Sequence, residues 1–282
     1  MDLIRVLCLL IAGMVTAAQN ALAAEDQDVS FFVVGKTPAY QQDVEGKLTH
    51  QKHYLFGEIF LKEGGNNVKS GQLIPPKGSQ FKTMDFENAG HVWKIKRQDF
   101  AGLKELDAAF PDGDYQFVFE TGSGQKYRET VSLRFPDNVR DFTQPISIYF
   151  YQGGRLVKQN AIDHDRDLVI RWSPFSNGRQ DPRGISDDLI FAISSDCNGN
   201  SFARSALPFV PIPALSYNNN SFRIPADRLQ PGSSYKLIVE HAQLVDTQKN
   251  DAGIIGLATF PTVTNTVFTT TGVANKNCPK NR

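Results

Sequence analysis

Short segments of alternating apolar and polar residues recur along most of this 282-residue chain. Successive side chains of a β-strand point to opposite faces, so the alternation indicates strands with one buried face. These segments are rich in valine, isoleucine, threonine and aromatic residues, and glycine, proline, asparagine or aspartate bounds them. The best helical candidate, Asp99–Ala109, needs only a single helical turn. The sequence therefore predicts an all-β protein.

The alternation predicts strands in both halves of the chain. Those of the first half are Ser30–Lys36, Tyr54–Lys62, Phe81–Phe86, His91–Lys96, Asp114–Glu120 and Lys126–Arg134. Those of the second half are Ile146–Tyr151, Leu168–Trp172, Leu189–Ser194, Ser201–Ala206, Ser221–Ile224, Tyr235–Leu244 and Val263–Thr271. Six or seven short strands are typical of one β-sandwich, so we expect two such domains.

Two prolines mark the predicted boundary between the domains. Pro136 and Pro145 bracket a polar segment that follows a strong strand, and proline cannot donate a hydrogen bond to a β-ladder. The predicted domains are residues 28–136 and residues 143–272, and a polar tail follows at residues 273–282.

The N-terminal segment has the layout of a secretory signal peptide. Arg5 precedes an apolar run from Val6 to Ala18, and Ala21-Leu22-Ala23 provides a small-x-small cleavage pattern. A membrane anchor is the alternative, but a spanning helix needs about 20 apolar residues and this run is shorter. We expect a signal peptide of residues 1–23, no membrane insertion after its removal, and a periplasmic or secreted protein.

Charge balance limits the classes of partner. The chain carries 30 lysine and arginine residues against 30 aspartate and glutamate residues, so its formal net charge is zero. A neutral chain has no overall field that would attract nucleic acid or an anionic membrane. The expected partner is therefore a protein or a glycan outside the cytoplasm, and no nucleic acid is expected.

A similar turn occurs in each half. Pro111-Asp112-Gly113 and Pro231-Gly232 each lie just before a tyrosine, Tyr115 or Tyr235, that opens an alternating strand. This is the setting of a tyrosine corner, in which the phenol hydroxyl forms a hydrogen bond with the backbone upstream. Both tyrosines are therefore predicted to be structural.

The second half resembles a fibronectin type III domain over about residues 143–272. Leu168–Pro174 resembles the second strand of that family, whose tryptophan, here Trp172, lies in the core. Leu229–Tyr235 resembles the turn into the sixth strand, and Val267–Gly272 resembles the closing strand. The resemblance implies a β-sandwich of a kind found in adhesins, spacers, chaperones and receptors, and rarely in enzymes.

The match also has limits. The second half is longer than the usual module, which predicts insertions at Asn177–Asp187 and Asp246–Pro261. The first half shares only the tyrosine corner and is expected to be an immunoglobulin-like β-sandwich, with Trp93 as its candidate core tryptophan.

Catalytic motifs are missing from the sequence, which contains neither G-x-S-x-G nor H-E-x-x-H. Asp163-His164-Asp165-Arg166-Asp167 suggests a Ca²⁺ loop. An EF-hand, however, needs glycine and glutamate where this chain has Leu168 and Pro174. A Ca²⁺ loop of another kind and a solvated turn both remain open. We expect no cofactor and assign no metal ligand.

Three histidines of the first half offer an enzymatic alternative. His50, His53 and His91 could hold Zn²⁺ with an open position, as in a metal-assisted hydrolase. Residues three apart on a strand face opposite sides, so His50 and His53 are expected to converge only on a turn or helix.

Adjacent aromatic residues supply a candidate binding surface. Tyr149, Phe150 and Tyr151 cannot all point inward from one strand, so at least one of them faces outward or into an interface. Packing against the other domain is the favoured interpretation, and Tyr149 and Tyr151 are the candidate ligand-facing residues. Exposed tyrosines could stack on sugar rings or anchor a protein partner. The favoured function is an exported non-catalytic binding or structural protein. The alternative is a carbohydrate-binding accessory protein.

Removal of the signal peptide leaves two cysteines, Cys197 and Cys278. In an oxidising compartment such a pair predicts a disulfide, and free thiols are the alternative. The bridge would close a loop of about 80 residues and stabilise the fold by roughly 4 kcal/mol through chain entropy.

Reduction of this bridge should lower the melting temperature while the first domain stays folded. Thermal unfolding followed by circular dichroism, with and without reductant, measures the change, and Cys197→Ser should melt like the reduced protein. A melting curve insensitive to reductant would contradict the bridge.

Overall fold

The computed structural model describes residues 25–64, 67–96, 98–135 and 142–275. Its strands in the first half are β1 (Val29–Gln42), β2 (Leu48–Leu61), β3 (Val68–Ile74), β4 (Met84–Asn88), β5 (Val92–Ile95), β6 (Gln98–Phe100), β7 (Gly113–Thr121) and β8 (Lys126–Leu133). One helix, α1 (Leu103–Ala109), precedes β7. The strands of the second half are β9 (Ile148–Gln152), β10 (Arg155–Val157), β11 (Leu168–Trp172), β12 (Leu189–Ser195), β13 (Ser201–Arg204), β14 (Leu215–Ser216), β15 (Ser221–Ile224), β16 (Ser234–Lys249) and β17 (Ile255–Thr269).

The prediction of an all-β fold is confirmed. Each predicted strand overlaps an observed one, and α1 lies within the predicted helical segment. The predicted signal peptide, Pro136 of the boundary and most of the polar tail lie outside the described residues. Across the described ranges, no helix combines the length and apolar character needed to span a bilayer.

The strands form a 13-stranded sheet and a 4-stranded sheet. The main path of the large sheet runs in the order β13-β12-β16-β17-β1-β2-β5-β4-β3-β7-β8, and the small sheet in the order β10-β9-β11-β15. Strand β1 pairs in parallel with β17 and antiparallel with β2. The large sheet therefore joins the first half of the chain to its last hairpin.

Two prolines explain an interruption in the parallel ladder between β1 and β17. Pairing runs to Gly35 opposite Thr259 and resumes at Ala39 opposite Val263. The gap contains Pro38 in β1, and its counterpart in β17 contains Pro261. Neither proline has a backbone N–H to donate, so the ladder divides into two paired segments here.

The first core lies where the large sheet folds over on itself. Phe32 of β1 packs against Phe117 of β7, with ring centroids 4.5 Å apart. Phe260, from the far half of the chain, stacks on Phe135 with ring centroids 4.1 Å apart and joins the same core. Burial of these aromatic rings stabilises the packing of the two layers.

The second core is enclosed by the small sheet on one side and by β12, β16 and β17 on the other. Trp172 and Phe150 come from the small sheet, while Tyr235 and Phe268 come from the large one. Tyr235 stacks on Phe268 with ring centroids 5.0 Å apart. This arrangement is an immunoglobulin-like β-sandwich.

One face of β17 contributes to both cores. Phe260 enters the first core and Phe268 enters the second, and three buried threonines lie between them on the same face. We call Thr262, Thr264 and Thr266 the threonine ladder. Hydrogen bonds join Thr262 Oγ1 to the carbonyl of Thr143 at 2.8 Å and the backbone N–H of Ile146 to Thr264 Oγ1 at 3.3 Å.

Gln42 ties the first half of the chain to the small sheet beside this ladder. Its side-chain amide donates to the carbonyl of Ile148 and accepts from the N–H of Ile148, each at 2.7 Å. Thr266 Oγ1 donates to the carbonyl of Gln42 at 3.1 Å. The predicted domains thus meet through buried hydrogen bonds and share the β16–β17 hairpin.

Substitution Gln42→Ala should lower the free energy of unfolding by about 2–4 kcal/mol. It leaves the buried N–H and carbonyl of Ile148 without their partners, and each such group costs about 1–3 kcal/mol. Urea denaturation measures the change, with Gln41→Ala as the neighbouring control. Equal stability of the two variants would show that the side-chain amide contributes little.

Candidate functional site

Three aromatic residues predicted to be structural lie in buried positions. Tyr115 Oη donates to the carbonyl of Pro111 at 3.0 Å, and Tyr235 Oη accepts from the N–H of Gln230 at 2.6 Å. Burial raises the pKa of Tyr115 well above its ordinary value, and the nearby carboxylate of Asp112 adds to the effect. Trp172 lies in the second core.

The other tryptophan, Trp93, packs at the edge of the first core. Its indole Nε1 donates to Asn67 Oδ1 at 2.7 Å, so its polar edge points toward the loop that leads into β3.

Tyr149 and Tyr151 lie on the face of the small sheet opposite the second core. Phe150 between them is buried, as alternation along β9 requires. Tyr149 is 44% exposed, so packing against the first half of the chain does not cover it. We call the surface formed by Tyr149, Tyr151, Leu156 and Arg171 the outer face of the small sheet.

Pairing between strands places these four side chains together. Tyr149 lies opposite Arg171 of β11, and Tyr151 lies opposite Leu156 of β10. The guanidinium of Arg171 lies over the ring of Tyr151, 5.0 Å from its centroid. Leu156 is 63% exposed. The outer face of the small sheet is therefore a flat patch of aromatic, aliphatic and cationic groups.

A β-bulge brings His50 and His53 together on β2. Tyr40 pairs with His50 while its neighbour Ala39 pairs with Lys52, so Gln51 is the extra residue. His50 Nε2 and His53 Nδ1 are 3.0 Å apart. The expectation that this spacing needs a turn or helix is wrong, because the extra residue shifts the alternation by one position.

His91 does not join this pair. It lies beside the other end of β2, where its carbonyl accepts from the N–H of Leu61. Within the described ranges, the three histidines therefore do not gather into a single metal-binding group.

The environment of His53 favours its neutral form. Burial lowers the pKa of His53, the neighbouring His50 lowers it further, and the Asp107 carboxylate acts in the opposite direction. Asp107 itself forms a salt bridge with Lys36, at 2.9 Å, and Lys36 is completely enclosed.

The acidic loop before β11 is organised by a buried glutamine. Gln152 Nε2 donates to the carbonyls of Asp163 and Arg166 at 2.7 and 3.0 Å. One potential ligand atom from each of Asp163, His164 and Asp165 lies within 4.8 Å of the others. Arg166 forms a salt bridge with Asp163 at 3.2 Å, so one of these carboxylates already has a cationic partner.

The first predicted insertion, Asn177–Asp187, lines a cavity of about 170 Å³ against β16. Arg183 contacts Asp246, and Arg179 Nη2 donates to the carbonyl of Leu244 at 3.1 Å. Burial raises the pKa of Asp188, which also lines the cavity, to about 6. Internal ion pairs and hydrogen bonds thus connect this loop to β16.

An apolar loop between β13 and β14 exposes four consecutive residues, Val210 to Pro213. Val210 is 44% exposed and Ile212 is 69% exposed. The loop is fixed by Phe209, whose ring packs edge-on against Phe31 at 5.5 Å. Strand alternation does not identify this surface, although its three prolines and lack of charge set it apart in the sequence.

The predicted disulfide involves a residue outside the described part of the chain. Cys197 lies in the turn between β12 and β13, whereas Cys278 lies beyond residue 275. The pairing of the two cysteines stays a prediction.

Comparisons with known proteins show no family. No family model matches the sequence, and no curated protein is similar to it. Among solved structures, Escherichia coli α-2-macroglobulin shows 7% identity and a TM-score of 0.23 over 86% of this chain and 16% of its own. A bacterial ice-binding adhesin shows 13% identity and a TM-score of 0.23 over 89% of this chain and 67% of its own. Fibronectin domains of chicken contactin show 12% identity and a TM-score of 0.20 over 76% of this chain and 62% of their own.

These similarities are too distant to support a statement about function. The chain spans only 16% of the α-2-macroglobulin and 30% of a biofilm-associated protein that it also matches. The immunoglobulin-like description of the second half therefore rests on its own strand pairing.

His241 lies in β16 at the junction of the two cores. It is 1% exposed and stacks on Phe175 with ring centroids 4.7 Å apart. It lies directly opposite Thr262 of the threonine ladder. Burial lowers the pKa of His241 to about 4, because a charged imidazole would lose its hydration there.

His241 should make the protein less stable as the pH falls from about 6.5 toward 4. In this range the unfolded chain binds a proton that the folded chain excludes, so the free energy of unfolding rises with pH. The contribution of His241 should be about 2 kcal/mol smaller at pH 5 than at pH 7.

Urea denaturation at both pH values measures this change in the wild type, in His241→Phe and in the control His164→Asn. The free energy of unfolding at pH 7 minus that at pH 5 should be about 2 kcal/mol smaller in His241→Phe than in the wild type and unchanged in His164→Asn. An unchanged dependence in His241→Phe would show that another group is responsible.

Proposed function

We propose that this chain is an exported, non-catalytic binding protein whose outer face of the small sheet contacts a protein partner. The observation that carries this proposal is the group of exposed Tyr149, Leu156 and Arg171 around the half-buried ring of Tyr151. The order of motifs in the second half supports the closer assignment of that half as fibronectin type III-like. The N-terminal segment supports export.

The chemistry of this face fits a protein contact. Tyrosine and arginine are enriched among residues that dominate binding energy, because they combine large apolar area with polar groups. Leu156 adds an aliphatic side chain beside Tyr151, which gives a protein partner apolar area to bury. The rigid strands β9 and β11 hold the side chains in place before binding, which reduces the entropic cost of association.

Paired charges border the same face. Arg223 of β15 donates through Nε to Asp167 Oδ2 at 3.0 Å, next to the strand that carries Arg171. A polar border around an aromatic and aliphatic centre is the usual arrangement of a protein interface.

Carbohydrate binding is the second candidate. The exposed ring of Tyr149 could stack on a sugar ring, and the guanidinium of Arg171 could donate to hydroxyl groups. Leu156 distinguishes the candidates, because protein association gains from burying it whereas sugar stacking depends on the tyrosines.

Binding assays with the purified chain test the proposal. An envelope extract and a set of insoluble polysaccharides are presented to the wild type, to Tyr149→Ala, Tyr151→Ala and Leu156→Ser, and to the control Ile212→Ser. A specific protein band should be retained by the wild type and by Ile212→Ser, and each variant of the outer face should weaken its binding by roughly tenfold or more.

The pattern of binding losses among the variants distinguishes a protein partner from a glycan. Saturable retention on a polysaccharide that falls in the tyrosine variants and persists in Leu156→Ser would replace the protein partner with a glycan. If no ligand depends on Tyr149, Tyr151 or Leu156, the outer face of the small sheet is not the binding surface.

A further inference from the structure

The histidine pair on β2 has the geometry of a chelating site. Because Gln51 is bulged, His50 and His53 point to the same side of the strand, and His50 Nε2 lies 3.0 Å from His53 Nδ1. The two rings are tilted by 43°, with centroids 4.6 Å apart. Without an ion, the two nitrogens share a hydrogen bond, and their separation is one that a single bound ion could span in place of the shared proton.

We propose that His50 and His53 form a binding site for one divalent transition-metal ion. Metal–nitrogen bonds to histidine are about 2.0–2.1 Å long. Two such bonds at a right angle place the nitrogens about 2.8–3.0 Å apart, and a tetrahedral angle places them about 3.3–3.4 Å apart. The observed 3.0 Å fits tetragonal Cu²⁺ directly and tetrahedral Zn²⁺ after a small separation of the rings.

A carboxylate lies near the histidine pair. Lys36 bridges the carboxylates of Asp107 and Asp112. Asp107 lies close enough to act electrostatically on His53.

His50 is exposed and His53 is half-buried, so one side of the histidine pair faces solvent. Tyr40 contacts His50 edge-on with ring centroids 5.4 Å apart, and Phe100 of β6 pairs with His53. The nearby ammonium of Lys52 is paired with Asp99 at 2.8 Å. Water or a donor atom from another molecule would complete the coordination sphere. Imidazole ligands select borderline ions such as Cu²⁺, Ni²⁺ and Zn²⁺ over Ca²⁺ and Mg²⁺.

Titration of the tag-free chain with Cu²⁺ alone and with Zn²⁺ alone tests the site. Calorimetry should give one ion per chain, and electron paramagnetic resonance of the Cu²⁺ form should report two imidazole nitrogens. His50→Asn and His53→Asn should each weaken binding by roughly tenfold or more, because each removes one arm of the chelate. The double variant should lose the two-nitrogen signal.

Two further variants act as matched controls. His91→Asn and His164→Asn remove histidines that lie elsewhere and should leave both stoichiometry and the spectrum unchanged. Circular dichroism and melting temperatures confirm that all variants are folded. Binding in the double variant equal to the wild type, or loss of binding in His164→Asn, would overturn the proposal. The metal site does not depend on the outer face of the small sheet, so the metal-site proposal and the proposed binding function can each fail without the other.

Discussion

The pairing of β17 with both β16 and β1 is the constraint on which the architecture depends. One face of β17 delivers Phe260 to the first core and Phe268 to the second, with the threonine ladder between them. Sliding of β17 by one residue against its neighbours would turn both phenylalanines away from their cores. Register in this one strand therefore determines the packing of the two halves together, and the long hairpin couples their stabilities.

The junction between the cores is polar, and its hydrogen bonds favour one strand register over others. Gln42 matches both the donor and the acceptor of Ile148, so a displaced strand would leave buried groups unpaired. An apolar junction of the same shape would accept several registers with similar energy. His241 of β16 lies opposite Thr262 of β17 and extends the polar junction into β16. Because burial lowers the pKa of His241, acidification is expected to act on the contact between the halves.

Alternation and turn residues predict the fold class and locate thirteen strands, because both signals are local. Strand β3 is not predicted, because Gly71 interrupts its short alternation of apolar and polar residues. The sequence does not predict the N-terminal extension of β17, because Pro261 suggests the end of a strand. The observed strand continues through Pro261 and pairs with β1, from the opposite end of the chain. That pairing joins residues more than two hundred positions apart, and no local pattern encodes it.

The candidate sites also differ in whether local sequence patterns predict them. Tyr149 and Tyr151 follow regular alternation, so their shared outward direction can be predicted from the sequence. His50 and His53 cannot be placed in this way, because the bulge at Gln51 depends on how β2 pairs with β1. A second bulge, between Leu244 and Asp246, turns Asp246 toward Arg183 and the cavity beside β16. Bulges redirect side chains without ending the strand. In a fold built almost entirely from strands, they therefore offer a way to gather polar groups that regular alternation would keep on opposite faces.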